Sequence, residues 1–372
     1  MSARSVLLAG GGSAGHVSPL LATADALRRR DPEVRVSALG TSTGLEARLV
    51  PERGYELLTV PKVAFPRRLS PRALRLPGDL AAAVRAADAA IVRSGATVVV
   101  GFGGYVSTPA YLAAKRRGIP IVIHEGNARP GLANRLGARL TRHVATTFES
   151  TRLPHARCIG MPMRTEITRL DRAALRGQAR EHYGFDDGRP VLLVTGGSLG
   201  AQRLNDAFSG AVADLRAAGI QVLHLAGGGK GFTPEAPDRP EAPPYVVAEY
   251  ADRMELAYAA ADLVVCRAGA NTVCELAALG LPAIYVPLPI GNGEQRVNAE
   301  PLVAAGGGTL VDDAEVDPQW VRRFVIPLLG HTERVEAMAR AAARAGRRDA
   351  DEALARIIET AGTERAATRR KS

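Results

Sequence analysis

A chain of 372 residues with 46% apolar side chains is long enough for two ordinary domains. Its first apolar run, residues 6–9, stops at three glycines and is too short for a signal peptide. No uninterrupted stretch approaches the ~20 apolar residues of a membrane span. The three cysteines, Cys158, Cys266 and Cys274, show no CxxC spacing and are typical of reduced thiols in a cytosolic protein.

The net charge of +10 indicates either an anionic partner or basic residues that are simply exposed to solvent. Nucleic acid is unsupported, because aromatic residues make up only 4% of the chain and neither a stacking motif nor a zinc pattern occurs. Over residues 62–77, arginines alternate with Leu, Phe and Pro, which suits the anionic surface of a membrane. An ordinary basic surface loop explains these residues equally well.

Strand-like and helix-like patterns alternate along the chain. Strands are predicted at 5–9, 34–39, 97–100, 119–124 and 143–147, and in a second series at 191–195, 221–225, 263–266 and 283–286. Helices are predicted at 17–30, 80–93, 202–218 and 272–279. This alternation predicts an α/β fold of parallel sheets with right-handed crossovers.

The two series open in the same way. Residues 8–16 (LAGGGSAGH) and 194–202 (VTGGSLGAQ) each combine a strand end, a glycine turn and a helix start, which predicts two Rossmann-like halves. We expect an N-terminal domain over 1–162 and a C-terminal domain over 163–345. The final Arg/Ala-rich helices are expected to pack across both halves, with about 346–365 returning to the N-terminal one.

Loops rich in glycine and polar residues follow the predicted strands. They lie at 10–16, 101–105, 124–127, 196–200, 267–271 and 287–295. In open parallel sheets, ligands bind beyond the carboxyl ends of the strands. If the two halves face each other, these loops line one cleft.

The first loop, residues 10–15, formally satisfies G-x-G-x-x-G. A nicotinamide or flavin enzyme should carry an acid at the end of the next strand to hold the ribose, but residues 38–41 (ALGT) contain none. An oxidoreductase therefore loses its main support. The loop is instead suited to a phosphate or diphosphate bound by amides at a helix N-terminus, and Gly196–Gly200 with the Ser198 hydroxyl repeats this arrangement.

Two residues are candidates for acid–base chemistry. His16 stands at a helix start, whose positive end favours the neutral imidazole, so it is a candidate general base. It could equally donate to a phosphate or a backbone carbonyl. Glu125 follows a strand and is the rival base, unless its carboxylate orients Asn127 or a loop amide. Tyr105, in the second loop, offers a hydroxyl or a stacking face.

In the second half, small residues at 268–270 precede a helix whose first turn offers N–H groups to an anion. Glu275 lies one turn further and could accept hydrogen bonds from a ribose diol, or simply compensate the helix dipole. The only Asp-x-Asp, at 349–351, lies in an Arg-rich terminal stretch, so we predict no metal and no other cofactor. A departing diphosphate would then be stabilised by amides, the helix dipole and Arg164.

Seven motifs occur together, in register over nearly the whole chain except about the last 25 residues. They are GGGSAGHVSP at 10–19, GFGGYVSTP at 101–109, HEGNARPGLANR at 124–135, GMPMR at 160–164, GGSLGAQRLN at 196–205, CRAGANTVCEL at 266–276 and GNGEQRVNA at 291–299. In these motifs the sequence resembles the MurG family, the N-acetylglucosaminyltransferases of peptidoglycan synthesis. One motif alone would be a weak signal, but seven are highly specific.

The resemblance implies a GT-B fold, with two Rossmann-like parallel-sheet domains facing an interdomain cleft. It implies that GlcNAc passes from UDP-GlcNAc to the muramyl C4 hydroxyl of lipid I, with inversion, to give lipid II. It also implies a peripheral position at the cytoplasmic face of the cell membrane, through a basic-apolar patch of the N-terminal domain. The catalytic residues implied are His16 as the favoured base and Glu125, with Tyr105 nearby.

The substrate-binding residues implied by matching position divide by ligand part. The donor site would include Ser13, Ala14, Gly15, Asn127, Arg164, Ser198 and Ala251. The ribose and diphosphate would be held by Ala270, Asn271, Thr272, Val273, Cys274 and Glu275, and the sugar by Gln295. The two N-terminal glycine loops would receive the diphosphate of the acceptor.

Two other interpretations compete with this one. A UDP-GlcNAc 2-epimerase shares the fold and the donor, needs no basic-apolar segment and acts on UDP-GlcNAc alone. A non-enzymatic nucleic-acid or membrane adaptor would rest only on the positive charge. Its function would survive replacement of His16 and Glu275, and its binding would fall steeply with salt.

Overall fold

In the computed structural model the chain forms two compact units, each built on its own parallel sheet. The structure describes residues 5–63, 76–197, 199–290 and 292–369. Unit 1 comprises Met1–Arg164 together with Arg348–Ser372, and unit 2 comprises Thr165–Arg347. Two sequence predictions fall outside the described residues: Ser198, and residues 64–75 of the basic-apolar segment.

Unit 1 contains a seven-stranded sheet in the order β3-β2-β1-β4-β5-β6-β7. Its strands are β1 Ser5–Ala9, β2 Arg35–Gly40, β3 Glu56–Thr59, β4 Val98–Gly101, β5 Ile121–Glu125, β6 His143–Thr146 and β7 Ala156–Cys158. All pairs between neighbours are parallel. The central strands are wholly buried because helices cover both faces, so their residues form continuous apolar runs.

Helices of unit 1 connect these strands. They are α1 Ala14–Arg30, α2 Glu46–Glu52, α3 Leu76–Ser94, α4 Gly104–Arg116 and α5 Leu132–Gly137. One apolar cluster lies on the face of the sheet covered by α1, and a second lies on the face covered by α3 and α4. The strand order reverses between β1 and β4, so the loops after these two strands lie at the switch point where α/β folds bind ligands.

Unit 2 contains a six-stranded parallel sheet in the order β10-β9-β8-β11-β12-β13. Its strands are β8 Val191–Thr195, β9 Gln221–Leu225, β10 Tyr245–Ala248, β11 Leu263–Cys266, β12 Ala283–Tyr285 and β13 Gly308–Leu310. The order again reverses between the first strand of the unit, β8, and β11. The two units therefore repeat one Rossmann-like topology around their central strands.

The helices of unit 2 cover both faces of its sheet. They are α6 Thr165–Thr168, α7 Arg172–Tyr183, α8 Gln202–Ser209, α9 Val212–Ala217, α10 Met254–Ala260, α11 Ala270–Leu279, α12 Glu294–Ala304, α13 Pro318–Trp320, α14 Ile326–Gly330 and α15 Thr332–Ala345. A single helix was predicted at 202–218, and this was wrong. Gly210 ends α8, and a Cβ there would lie 2.7 Å from Pro318 Cγ of α13. The helix is therefore interrupted at the position where α13 packs closely against it.

The last described helix, α16 Ala350–Arg369, belongs to unit 1 although it follows unit 2 in sequence. Leu354, Ala355 and Ile358 enter the apolar cluster beneath α1. On the rim, Arg29 and Arg30 of α1 form ion pairs with α16 at 2.5–3.3 Å, their partners being Asp351, Glu352 and Glu359. The preceding helix, α15, packs within unit 2 instead.

All nine predicted strands are present, each within two residues of its predicted bounds. The predicted α/β class with two Rossmann-like parallel sheets is confirmed. Four strands were not predicted, and each of them is the edge strand of a sheet: β3, β7, β10 and β13. That the two units face one cleft stays a prediction.

Candidate active site

Three glycine-containing loops meet at the carboxyl edge of the unit 1 sheet. They follow β1, β4 and β5, which are adjacent parallel strands, so their ends lie at one edge. The first leads into α1 through Ser13, Ala14 and Gly15, with Ser13 at the N-cap position. These three residues, implied to bind the donor, therefore form the start of a 17-residue helix whose first N–H groups lack partners within the helix.

His16 lies in the first turn of α1, partly buried between the glycine loops. Its Nδ1 is 3.1 Å from the Ser13 hydroxyl. The backbone of Gly103 approaches the other side, since a Cβ there would lie 3.1 Å from His16 Nε2. Gly103 has φ 97° and ψ −168°, a conformation that essentially only glycine adopts, so the close approach to the imidazole requires this residue.

The environment of His16 favours the neutral imidazole. Burial lowers the pKa of His16 below its ordinary value, although a hydrogen bond with the Gly11 carbonyl and the charge of Glu46 act in the opposite direction. Because the ordinary value is 6.5, the ring is mostly unprotonated at pH 7. A neutral imidazole at the edge of the sheet can accept a proton, as a general base must.

Tyr105 stands beside the first loop. A Cβ on Gly12 would lie 3.2 Å from its ring, and its hydroxyl is 3.4 Å from the Thr41 hydroxyl. Lys62 lies over the same ring, with Nζ 5.8 Å from the centroid. Tyr105 is thus held at the predicted acceptor edge, with a cation above its face.

Glu125 is a buried carboxylate whose two oxygens both accept hydrogen bonds from the loop that follows β5 and from α5. Its Oε1 accepts from the Asn127 N–H at 2.9 Å, and its Oε2 accepts from the Gly131 N–H and Asn134 Nδ2, both at 3.0 Å. Burial raises the pKa of Glu125, and these donors partly offset the rise. Both oxygens are occupied by the loop, so the geometry favours the alternative in which Glu125 orients Asn127 rather than acting as the base.

Arg164 and Ala251 lie in loops, Arg164 just before a helix and Ala251 just after a strand. Arg164 is the last residue of the first segment of unit 1, immediately before α6, and is partly buried. Ala251 follows β10 and is also partly buried, so it lies at the carboxyl edge of the unit 2 sheet.

The start of α11 is the best-defined feature of the unit 2 edge. Gly269 is the N-cap, without a side-chain cap, and α11 then runs through Ala270, Asn271, Thr272, Val273, Cys274 and Glu275. The Glu275 carboxylate is partly exposed and accepts a 2.8 Å hydrogen bond from the Tyr258 hydroxyl. Tyr258 itself is only 2% exposed, so a buried phenol holds the predicted ribose-binding carboxylate in place.

Gln295 lies in the first turn of α12, directly after the loop that follows β12. Its Oε1 accepts a hydrogen bond from the Leu288 N–H at 2.9 Å. Arg267 supports the start of the same loop, because its Nη1 donates to the Val286 and Pro287 carbonyls and pairs with Asp313 at 2.6 Å. Gln295 is therefore fixed at the same edge as the start of α11.

Two residues that hydrogen-bond to the candidate site, Glu46 and Tyr258, could not be predicted from the sequence. Glu46 bonds the Gly12 N–H, but it follows a loop and opens a short helix, so nothing in its local pattern separates it from a surface acid. Tyr258 is buried within α10, where an aromatic residue is ordinarily a core residue. Only their three-dimensional partners reveal them.

Within the described residues, no three His, Cys, Asp or Glu side chains are grouped closely enough to hold a metal ion. The absence of a metal and of other cofactors stays a prediction. Among the helices that the structure describes, none has the length and apolar character needed to span a bilayer.

Comparison with known proteins identifies the family of both units. The model of the glycosyltransferase family 28 N-terminal domain matches residues 6–146, and that of the C-terminal domain matches residues 191–354. A relative from Streptomyces coelicolor is 55% identical over 361 residues, 97% of this chain and 99% of its own length. One from Nocardioides sp. is 57% identical over 353 residues, 95% and 97% of the two chains. Both are named UDP-N-acetylglucosamine–N-acetylmuramyl-(pentapeptide) pyrophosphoryl-undecaprenol N-acetylglucosamine transferase.

Solved structures agree with this assignment. The crystal structure of Acinetobacter baumannii MurG matches with a TM-score of 0.77 at 29% identity, covering 96% of this chain and 99% of that one. The UDP-GlcNAc 2-epimerase of Neisseria meningitidis, bound to UDP-GlcNAc, has a TM-score of 0.64 at 14% identity over 95% and 99%, and shows only a shared fold. The enzyme interpretation is therefore confirmed over a charge-based adaptor. The chain belongs to glycosyltransferase family 28 and, within it, to the MurG family of N-acetylglucosaminyltransferases.

Proposed function

We propose that this chain transfers GlcNAc from UDP-GlcNAc to the C4 hydroxyl of the muramyl sugar of lipid I, with inversion, and so forms lipid II. The observation that carries the proposal is the 55% identity over 97% of the chain to a transferase named for this donor and acceptor. The geometry is consistent with it, because each unit presents a helix start at the carboxyl edge of its sheet.

His16 is the residue that we assign as general base. The acceptor C4 hydroxyl loses its proton to the neutral imidazole while its oxygen forms a bond to C1 of GlcNAc. The bond between C1 and the diphosphate oxygen breaks at the same time, and its electron pair leaves on UDP. Attack opposite to the leaving group inverts C1. A positioned base of this kind contributes about 10²–10⁴-fold in rate.

The start of α11 is assigned to the departing UDP. The N–H groups of its first turn and the positive end of the helix stabilise negative charge on the diphosphate. Glu275, fixed by Tyr258, accepts hydrogen bonds from the ribose hydroxyls. Gln295 binds the sugar, and Arg164 and Ser198 contribute to the phosphates.

In unit 1, the glycine loops after β1 and β4 are assigned to the acceptor diphosphate, with Tyr105 beside them. Ser13, Ala14 and Gly15, where the first loop enters α1, also contribute to the donor site. Asn127, held by Glu125, contributes to the donor site. Because the acceptor is lipid-linked, we expect the enzyme to act at the cytoplasmic face of the cell membrane as a peripheral protein. Residues 62–77 are the segment that we expect to contact anionic headgroups. No nucleic-acid partner is expected.

Incubation of the purified protein with radiolabelled UDP-GlcNAc and a short-chain lipid I analogue tests the proposal. The expected result is label in the disaccharide product, with release of UDP. A parallel reaction without the acceptor tests the epimerase, which would convert UDP-GlcNAc to its C2 epimer. Epimerisation without transfer would overturn the proposed function.

A further inference from the structure

Unit 1 contains a buried carboxylate directly beneath the first glycine loop. Glu46, the first residue of α2, is 0% exposed. Its Oε2 accepts from the Gly12 N–H at 2.9 Å, and its Oε1 accepts from the Thr41 N–H at 2.9 Å and the Thr41 hydroxyl at 2.7 Å. Burial by itself raises the pKa of Glu46, but these donors hold it below its ordinary value. The carboxylate is therefore ionised at neutral pH.

The surrounding backbone is shaped around this carboxylate. A Cβ on Gly11, Gly40 or Gly44 would overlap the Glu46 side chain, so the backbone approaches it closely at three positions only because they carry glycine. The Gly12 N–H is occupied by Glu46 and is not offered to a phosphate. Part of the first glycine loop is thus built to receive an internal anion, and a bound phosphate must rely on the start of α1.

The same loop connects Glu46 to His16. Gly11 packs against the carboxylate, and its carbonyl forms a hydrogen bond with the His16 imidazole. Among the residues that the structure describes, the other charged or titratable groups beside the loop are Tyr105 of α4, next to Gly12, and Lys62, which lies over the Tyr105 ring. Next to Gly103 stands the neutral amide of Asn134, whose Nδ2 would lie 3.4 Å from a Cβ on that glycine. Glu46 is the only carboxylate among these groups.

We propose that Glu46 is a positioning residue for the transfer reaction. Its carboxylate fixes the turn at Gly11 and Gly12 against His16, and its negative charge stabilises the imidazolium that forms when His16 takes the proton of the acceptor hydroxyl. This inference rests on the proposed function, in which His16 is the base. The proton moves only from the hydroxyl to the imidazole, and Glu46 stays ionised throughout.

Two variants of Glu46 separate charge from shape. Glu46→Gln keeps the size but removes the charge, and Glu46→Asp keeps the charge. Glu52→Gln is the matched control, because Glu52 lies on the same helix but is exposed and pairs with Arg48. Both changed positions lie in unit 1, so the urea unfolding curve of the whole chain checks that each variant is folded.

The first readout is the titration of His16 by NMR in protein labelled at its seven histidines, with the His16 signal identified from its loss in His16→Gln. We expect Glu46→Gln to move the His16 midpoint to lower pH, because a nearby negative charge no longer favours the imidazolium. Glu46→Asp and Glu52→Gln should stay close to the unmodified protein. We expect kcat to fall by about ten- to a hundredfold in Glu46→Gln, a part of what a positioned base contributes.

The outcomes distinguish this inference from the proposed function. An unchanged His16 midpoint in Glu46→Gln refutes the coupling and leaves the proposed function standing. A shifted midpoint with unchanged kcat refutes His16 as the base and leaves the coupling standing. If Glu46→Gln does not fold, Glu46→Asp decides: a retained His16 midpoint supports the role of the charge, and a midpoint moved to lower pH overturns it.

Discussion

Replacing Tyr258 with Phe removes one buried hydroxyl and no other atom. That hydroxyl donates to Glu275 Oε2 at 2.8 Å, and the carboxylate lies at the start of α11, where we place the ribose. Hydrogen bonds to charged groups contribute about 1.5–3 kcal/mol. Because Glu275 is partly exposed, water can replace part of the lost hydrogen bond, so we use the lower end of this energy range. A loss of about 1.4 kcal/mol corresponds to about tenfold weaker binding of UDP.

Isothermal calorimetry with UDP measures this effect, and 2′,3′-dideoxy-UDP shows its origin. If Tyr258 acts by aiming Glu275 at the ribose diol, the variant should lose affinity for UDP and almost none for the dideoxy analogue. Tyr55→Phe is a matched control, since the Tyr55 hydroxyl donates to the Asp25 carboxylate at 2.7 Å in unit 1. Equal losses for both nucleotides, or UDP affinity unchanged in Tyr258→Phe, would refute the reasoning.

Three further predictions follow from the site. His16→Ala should lower kcat by about 10²-fold or more while the Kd for UDP changes little, whereas equal losses in kcat and donor affinity would make His16 a phosphate ligand. In the unmodified protein, kcat/KM should fall only as the pH drops through a pKa below 6.5. Gly103→Ala should lower the free energy of unfolding, measured in urea, by about 1–3 kcal/mol, because the φ of 97° at this position is strained for alanine. It should also reduce kcat, because the alanine Cβ would displace the His16 imidazole, and unchanged values of both would contradict the geometry. UDP should bind in EDTA with unchanged affinity, as the amides of α11 are its predicted anion site, and calorimetry showing strict dependence on Mg²⁺ would oppose this.

The interior of each sheet could be predicted from the sequence, and its edges could not. Strands such as β1 and β8 are buried at every residue and therefore carry uninterrupted apolar runs. The edge strand β3 is buried at only one of its four residues, and β7 is exposed at two of its three residues. An edge strand is covered on fewer sides, so its sequence resembles that of a loop.

In the candidate site too, some residues could be predicted from the sequence and others depend on tertiary packing. Loops after buried strands could be located because the strands before them could, and His16 and Glu275 follow from their places at helix starts. Whether Glu125 acts as a base or orients a loop depended on Gly131 and Asn134, whose approach is set by tertiary packing. The contacts of Glu46 and Tyr258 likewise join segments that only the fold brings together.

The return of α16 to unit 1 has a consequence for the order of folding during synthesis. Unit 2 is one continuous segment, whereas the apolar cluster beneath α1 is completed by Leu354 and Ile358. The ribosome therefore releases a finished second unit before the first can close its hydrophobic layer. Until then the apolar side chains of α1 and of β4–β6 that contact α16 stay uncovered, and a nascent chain arrested before residue 350 should attract chaperones that bind such surfaces.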